Sequence, residues 1–195
     1  MAIVALQRPH GLPVVVSAAL AHYQFETLHP FSDCNGRVGR LVILLQLLRC
    51  GALDQPALTI SPWLLRRREQ YQDLLLNVSR SGDWDAWIRF FARGIQEQCR
   101  SHVSVAQQLI TWIATVRQRL HERHWTGTIA LLAEALIDWP IVSNALVREK
   151  FSVTEVTAQN AIDRLVKLEV LEELTGGHYA RVYGAREIMR LLENL

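Results

Sequence analysis

From Val14 to about Arg123 the apolar residues recur at helical spacing, which commits this part of the chain to helices packed on helices. Val15, Ala18, Ala19, Tyr23 and Phe25 mark a first helix. It should stop at His29, because a residue before proline, here Pro30, avoids the α region. A polar turn, Ser32-Asp33-Cys34-Asn35-Gly36, leads into a second helix from about Arg37 to Arg49, with Gly51 as its stop. Ser61-Pro62 opens a further helix carrying Trp63, Leu64, Tyr71, Leu74 and Leu75, and Ser81-Gly82-Asp83 interrupts it. Two more helices are expected, Trp84 to Gln98 and Ser101 to Arg123.

Residues 126–195 change character. Short helical stretches are followed by Val170–Leu174, Thr175-Gly176-Gly177 and Tyr179–Tyr183, which read as a hairpin. Ser152-Val153-Thr154-Glu155 has the form of a capping box opening a helix to Leu168, and Ala185 to Leu195 reads as a closing helix. Helices followed by such a hairpin suggest a winged helix-turn-helix. The charge divides at the same place, net +5 over residues 1–125 and net −3 over residues 126–195.

Half of the residues are apolar and 21% are charged, which excludes a disordered chain. No apolar run reaches the length of a membrane helix, since Leu41–Leu48 is broken by Gln46, and no basic stretch precedes the short apolar start. Cys34, Cys50 and Cys99 form no close-spaced pair. The expectation is a cytoplasmic protein without a disulfide framework or a membrane partner.

One segment carries chemistry: His29-Pro30-Phe31-Ser32-Asp33-Cys34-Asn35-Gly36-Arg37-Val38-Gly39-Arg40. A loop entering a helix N-terminus offers unpaired N–H groups and the positive end of the helix dipole to an anion. Arg37 and Arg40 share a helix face there, and guanidinium groups grip phosphate oxygens. Asp33 supplies a hard carboxylate for Mg²⁺, and His29 is the nearby group able to take a proton near neutral pH. Base, metal ligand and two phosphate clamps together suit nucleotidyl or phosphoryl transfer. Taken alone, the same residues could also be a helix cap, a turn and two solvated arginines.

The segment resembles the signature of the Fic family, H-P-F-x-[D/E]-G-N-G-R-x-x-R, with Cys34 the one departure at a specified position. His22-Tyr23-Gln24-Phe25-Glu26 is similar to the family's preceding helix. Ser61, Arg68, Tyr71 and Gly82-Asp83-Trp84 are similar to its downstream helices, and a winged helix often accompanies it. The resemblance implies a mainly α fold, a Fic-type helical core incomplete at its N-terminal side, followed by a C-terminal winged helix-turn-helix. The implied divisions are a partial Fic domain over residues 1–100, a connecting helix over 101–125 and the winged helix over 126–195.

The implied activity is transfer of AMP from ATP to a Ser, Thr or Tyr hydroxyl of a target protein, with Mg²⁺. By position His29 would be the base and Asp33 would hold the metal. Asn35 and the amides of residues 34–37, Cys34 and Gly36 among them, would cradle phosphates. Arg37 would grip the β phosphate region and Arg40 the γ phosphate, while Val38, Gly39 and Gln72 would complete the nucleotide site. Phe31 would anchor the loop in the core. Cys34 stands where the family has glycine, in a turn whose backbone favours glycine, although one phosphate-transferring branch has alanine there. Arg67 and Gln72 replace the family's frequent Asn and Tyr near the base pocket.

The family also has a longer run before the motif and often an inhibitory helix. Met1–Pro13 is therefore expected to stand alone where the target-docking flap lies, leaving apolar surface for a partner or a homodimer to cover. The alternative function is a weak or inactive Fic remnant that binds DNA or protein through its winged helix. Thr154, Thr157, Gln159, Asn160, Asp163, Arg164 and Lys167 are the exposed candidates on its capped helix. The module's negative charge argues against DNA. His121 and His124 lack a third metal ligand, the run Arg66-Arg67-Arg68 reads as a solvated face, and the tryptophans read as core.

Overall fold

The computed structural model describes residues 11–177 and 181–193. They divide into two compact units, the first ending at His102 and the second beginning at Val103. The fold is mainly α.

In the first unit, α1 (Val14–Leu28) ends where Pro30 requires it, and His29 adopts the left-handed conformation at its C-cap, φ 43°. α2 (Asn35–Arg49) closes as a Schellman motif. Gly51 at φ +69° lets its N–H reach Leu48 O at 3.0 Å while Ala52 N reaches Leu47 O at 2.9 Å. α3 (Ser61–Arg66) and α4 (Arg68–Ser81) are separated only by Arg67. α5 (Trp84–Glu122) runs 39 residues without a break. The expected interruption at Cys99-Arg100 does not occur, because neither residue is a breaker and apolar positions recur on both sides. Its first part belongs to the first unit and the rest to the second.

α1 packs against α2, where Gly39 has no side chain to hold off His22 and Glu26, and Ala18 and Ala19 of α1 are fully buried. The core over them is aromatic: Trp63, Trp87 and Phe91 are buried with Ile43 and Leu47. Each tryptophan satisfies its indole N–H. Trp87 donates to Ala19 O at 3.1 Å, and Trp63 donates to Glu97 at 2.7 Å. Arg67 stacks over Trp63 at 4.4 Å and also binds Glu97, so its guanidinium secures a core residue.

The second unit continues with α6 (Thr128–Ala135), β1 (Ile141–Ser143), α7 (Asn144–Phe151), α8 (Glu155–Lys167), β2 (Glu172–Glu173), β3 (Val182–Gly184) and α9 (Arg186–Glu193). The strands form an antiparallel sheet in the order β1-β3-β2, with Val142 opposite Tyr183 and Glu173 opposite the same tyrosine on the other side. β1 is too short to show a period in the sequence, and it exists because β3 lies beside it. Tyr179 of the expected hairpin lies outside the described residues, as do Met1–His10 and Leu195. The N-cap of α8 is Thr154, whose hydroxyl accepts from Thr157 N. Ser152, expected to cap it, instead ends α7 in the left-handed region. Leu132, Leu136, Ile162, Leu165, Leu171 and Ile188 form this unit's own core. No helix among the described residues is long and apolar enough to cross a membrane.

Candidate functional site

The turn between α1 and α2 is closed by one side chain. Asn35, 3% exposed, accepts from Phe31 N at 2.9 Å and donates to Phe31 O at 2.5 Å. Its amide is thereby used on both ends, and what it still offers outward is its backbone N–H. Arg37 N and Val38 N both return to Cys34 O at 3.0 Å, and Cys34 N is taken by Asp33 Oδ1 at 2.6 Å. Among the described residues, the N–H groups of Asn35 and Gly36 are left without a backbone partner at the start of α2. These two groups stand at the positive end of the α2 dipole, where such N–H groups are suited to an anion.

The charged groups stand around it. Arg40 is half-buried, and its Nε donates to Ser61 Oγ at 3.0 Å, which sets the direction of the guanidinium. Arg37 lies outside, donating to Cys34 Sγ at 2.5 Å and standing 4.0 Å from Asp33. With side chains 72% and 89% exposed, that ion pair is worth little and is easily exchanged for a ligand. His29 is exposed at the end of α1. Cys34 has φ 69°, the left-handed conformation in which a Cβ is costly. Val38 and Gly39 continue α2 behind the turn, and Gln72 is an exposed residue of α4.

Phe31 does not enter the core. It is 51% exposed, with its ring 6.2 Å from Phe25. The loop is held by polar bonds through Asn35, which leaves the phenylalanine free to face solvent.

Behind the turn lies a group of side chains whose part in the site the sequence did not announce. His22 is fully buried, its Nδ1 2.9 Å from Gly39 O and its Nε2 3.0 Å from the Tyr71 hydroxyl. A carbonyl only accepts, so Nδ1 carries the proton and Nε2 accepts from Tyr71. Trp87 stacks on the imidazole at 6.1 Å, and Phe91 lies 6.2 Å away. Burial pushes the imidazole pKa down to about 4, the bond to Gly39 opposing and the Arg40 charge assisting. Glu26, next to Gly39, is raised by burial against the pull of His29 and Arg40, and its Oε1 has no hydrogen-bond partner among the described residues. The signal for this group was present in the spacing. Residues 22 and 26 are four apart, so they share one face of α1.

The lowered His22 pKa makes a prediction. The folded state holds this histidine neutral down to about pH 4, whereas an unfolded one protonates near 6.5. Stability is therefore full above pH 6.5 and falls by about 3 kcal/mol as pH drops to 4. Urea unfolding at pH 7 and pH 4.5 should show this loss in the native chain, and His22→Gln should flatten it. An equal pH dependence in both proteins would remove His22 as its source.

His121 and His124 have their rings 6.5 Å apart, and no group of three His, Cys, Asp or Glu side chains able to hold a metal occurs among the described residues.

Residues 4–47 match the family model described as Fic/DOC family. A protein adenylyltransferase Fic from Aedes aegypti is 40% identical over 75 residues, 38% of this chain and 14% of that protein. One from Nematostella vectensis is 36% identical over 88 residues, 44% of this chain and 18% of that protein. The chain thus spans less than a fifth of these curated relatives. The crystal structure of a Fic family protein from Desulfovibrio desulfuricans G20 shares the fold, with a TM-score of 0.50 at 21% identity, over 94% of this chain and 52% of that one. The turn's sequence and these likenesses agree: over residues 4–47 the chain is similar to the Fic/DOC family, and its fold is that of a Fic family protein of known structure.

Proposed function

We propose that the protein is a protein adenylyltransferase, moving AMP from ATP to a Ser, Thr or Tyr hydroxyl of a target protein. The observation that carries this reading is the turn itself: free amides of Asn35 and Gly36, flanked by Arg37, Arg40, Asp33 and His29. The triphosphate would lie on the amides, with Arg40 directed by Ser61 toward the γ phosphate and Arg37 released from Cys34 to the β phosphate. His29 would take the proton of the target hydroxyl as its oxygen bonds to the α-phosphorus. The bond from that phosphorus to the bridging oxygen would break, and pyrophosphate would leave with the electron pair.

Mg²⁺ fits the residues present. Asp33 offers an 89% exposed carboxylate, and magnesium is commonly held by one or two carboxylates together with substrate phosphates. When bound there it would neutralise phosphate charge. A cytoplasmic setting suits the three free thiols. Exposed Leu28, Leu41 and Leu45 are apolar surface that a second copy could cover in a homodimer.

The test is incubation with α-labelled and with γ-labelled ATP. Label reaching protein only from the α position supports AMP transfer. Label reaching it only from the γ position would replace this reading with phosphotransfer.

A second reading, a weakly active enzyme, is favoured by Cys34. Its left-handed backbone costs energy, and its thiol draws Arg37 away from the phosphate position. Cys34→Gly is expected to raise stability by about 1 kcal/mol, the relief at φ 69° outweighing the added freedom of the unfolded chain. It should also raise the transfer rate. A lower melting temperature would mean that the thiol's bonds to Arg37 and Asp33 outweigh the backbone cost.

For residues 126–195 we read the antiparallel sheet with α7 and α8 as a winged helix serving to dock a protein partner. On α8 the exposed Asn160, Asp163, Arg164 and Lys167 mix charges. Gln159, a base-reading candidate, is already bonded to Asp163, Asn144 and Tyr183, and Arg164 lies over Trp125. These engagements, with the acidic charge, disfavour DNA.

A further inference from the structure

The buried His22 takes no part in the chemistry above, yet it is the side chain that joins three helices behind the phosphate turn. It lies on α1. Its Nδ1–H holds Gly39 O of α2 at 2.9 Å, and its Nε2 receives the hydroxyl of Tyr71 from α4 at 3.0 Å. Gly39 is the residue before Arg40 and one turn beyond the free amides of Asn35 and Gly36. We propose that His22 is a positioning residue that fixes the first turns of α2, and with them the amides and Arg40, for phosphate binding. This rests on reading that turn as a phosphate site.

Three observations carry it. First, the bond to Gly39 is made from the side, by a different helix, to a carbonyl already inside the α2 ladder. It therefore restrains translation and rotation of α2 relative to α1, which the helix's own bonds cannot do. Second, the contact is close. A Cβ on Gly39 would stand 3.2 Å from His22 Cε1, so the imidazole and the end of Glu26 rest directly on the α2 backbone where this residue has no side chain. Third, the tautomer is set at both ends, by a carbonyl that only accepts and a hydroxyl that can donate, inside an aromatic box of Tyr71, Trp87 and Phe91. The imidazole has one orientation available, and so has what it holds. The charged groups facing this box are Arg40, whose field reaches both His22 and Tyr71, and Glu26, which acts on Tyr71. Positioning groups of this kind matter because a misplacement of the order of an ångström is felt strongly at a site built from fixed donors.

The experiment uses the full chain, labelled with ¹⁵N, with inorganic pyrophosphate as the probe. The variants are His22→Asn, whose side-chain amide can still donate from the Nδ1 position, and His22→Leu, which cannot. Tyr71→Phe removes only the second bond. In the native chain the imidazole should show the Nδ1–H tautomer. His22→Leu should shift the amide signals of residues 35–40 and weaken pyrophosphate about tenfold, while His22→Asn stays within about threefold. Tyr71→Phe should fall between them. Recovery by asparagine separates positioning from a loss of stability, because both variants lose the ring's packing. The proposal is overturned if the tautomer is Nε2–H, or if folded His22→Leu leaves these signals and the affinity as in the native chain. If pyrophosphate does not touch the amides of Asn35 and Gly36 in the native protein, the phosphate-site reading fails instead. The tautomer and the shifts of residues 35–40 then decide whether His22 positions α2.

Discussion

His29→Ala is expected to lower AMP transfer by about a hundred- to ten-thousandfold while leaving the melting temperature nearly unchanged. The factor is what a positioned base contributes when it removes the proton of an attacking hydroxyl. The unchanged stability follows from the position. His29 is exposed, its backbone N–H bonds Phe25 O, and among the described residues no hydrogen bond of its ring holds the fold. The residue sits at φ 43°, where alanine is less at ease than asparagine, so His29→Asn is the companion variant. Both should bind ATP as the native chain does, because the amides and arginines are untouched. Initial rates with α-labelled ATP measure the loss. Transfer that persists in both variants would show that another group takes the proton.

Trp87→Ala should cost about 3–5 kcal/mol, a large part of the stability of a small domain. The indole is fully buried and meets His22, Tyr71, Phe90 and Phe91. Its removal leaves a cavity behind α1 and frees Ala19 O from the bond at 3.1 Å. The loss should be confined to the first unit, since the second has a core of its own around Leu132, Ile162 and Leu165. Calorimetry should show one transition moving down and the other staying. Trp87→Phe should recover most of the packing without the hydrogen bond. If both transitions moved together, the separate cores would not be separate cooperative units.

The ends of α1 and α2 were legible in the sequence because their causes are local. Pro30 excludes the helix from the residue before it, and Gly51 supplies the positive φ that closes a Schellman motif. The hairpin around Thr175-Gly176-Gly177 was legible for the same reason. The continuity of α5 was misjudged, because a weak patch in the apolar pattern near Cys99 is not a breaker and packing on either side carries the helix through. At α8 two hydroxyls stood near the helix start. Ser152 was needed to end α7, which left Thr154 as the cap. The family resemblance implied that Phe31 anchors the loop in the core, but the residue is 51% exposed and Asn35 fixes the loop by hydrogen bonds.

By itself the sequence determined which candidate residues stand at the turn and in what order. That order, His29 to Arg40, depends on which side chains follow one another across a helix start, and chain neighbours need no fold to be adjacent. Only the tertiary structure decided what holds them in place. His22 reaches Gly39 across 17 residues and Tyr71 across 49, and Arg40 reaches Ser61 across 21. Such pairs are made where helices meet, and most polar groups buried there find a partner. Which partner each finds is fixed by packing and not by spacing along the chain.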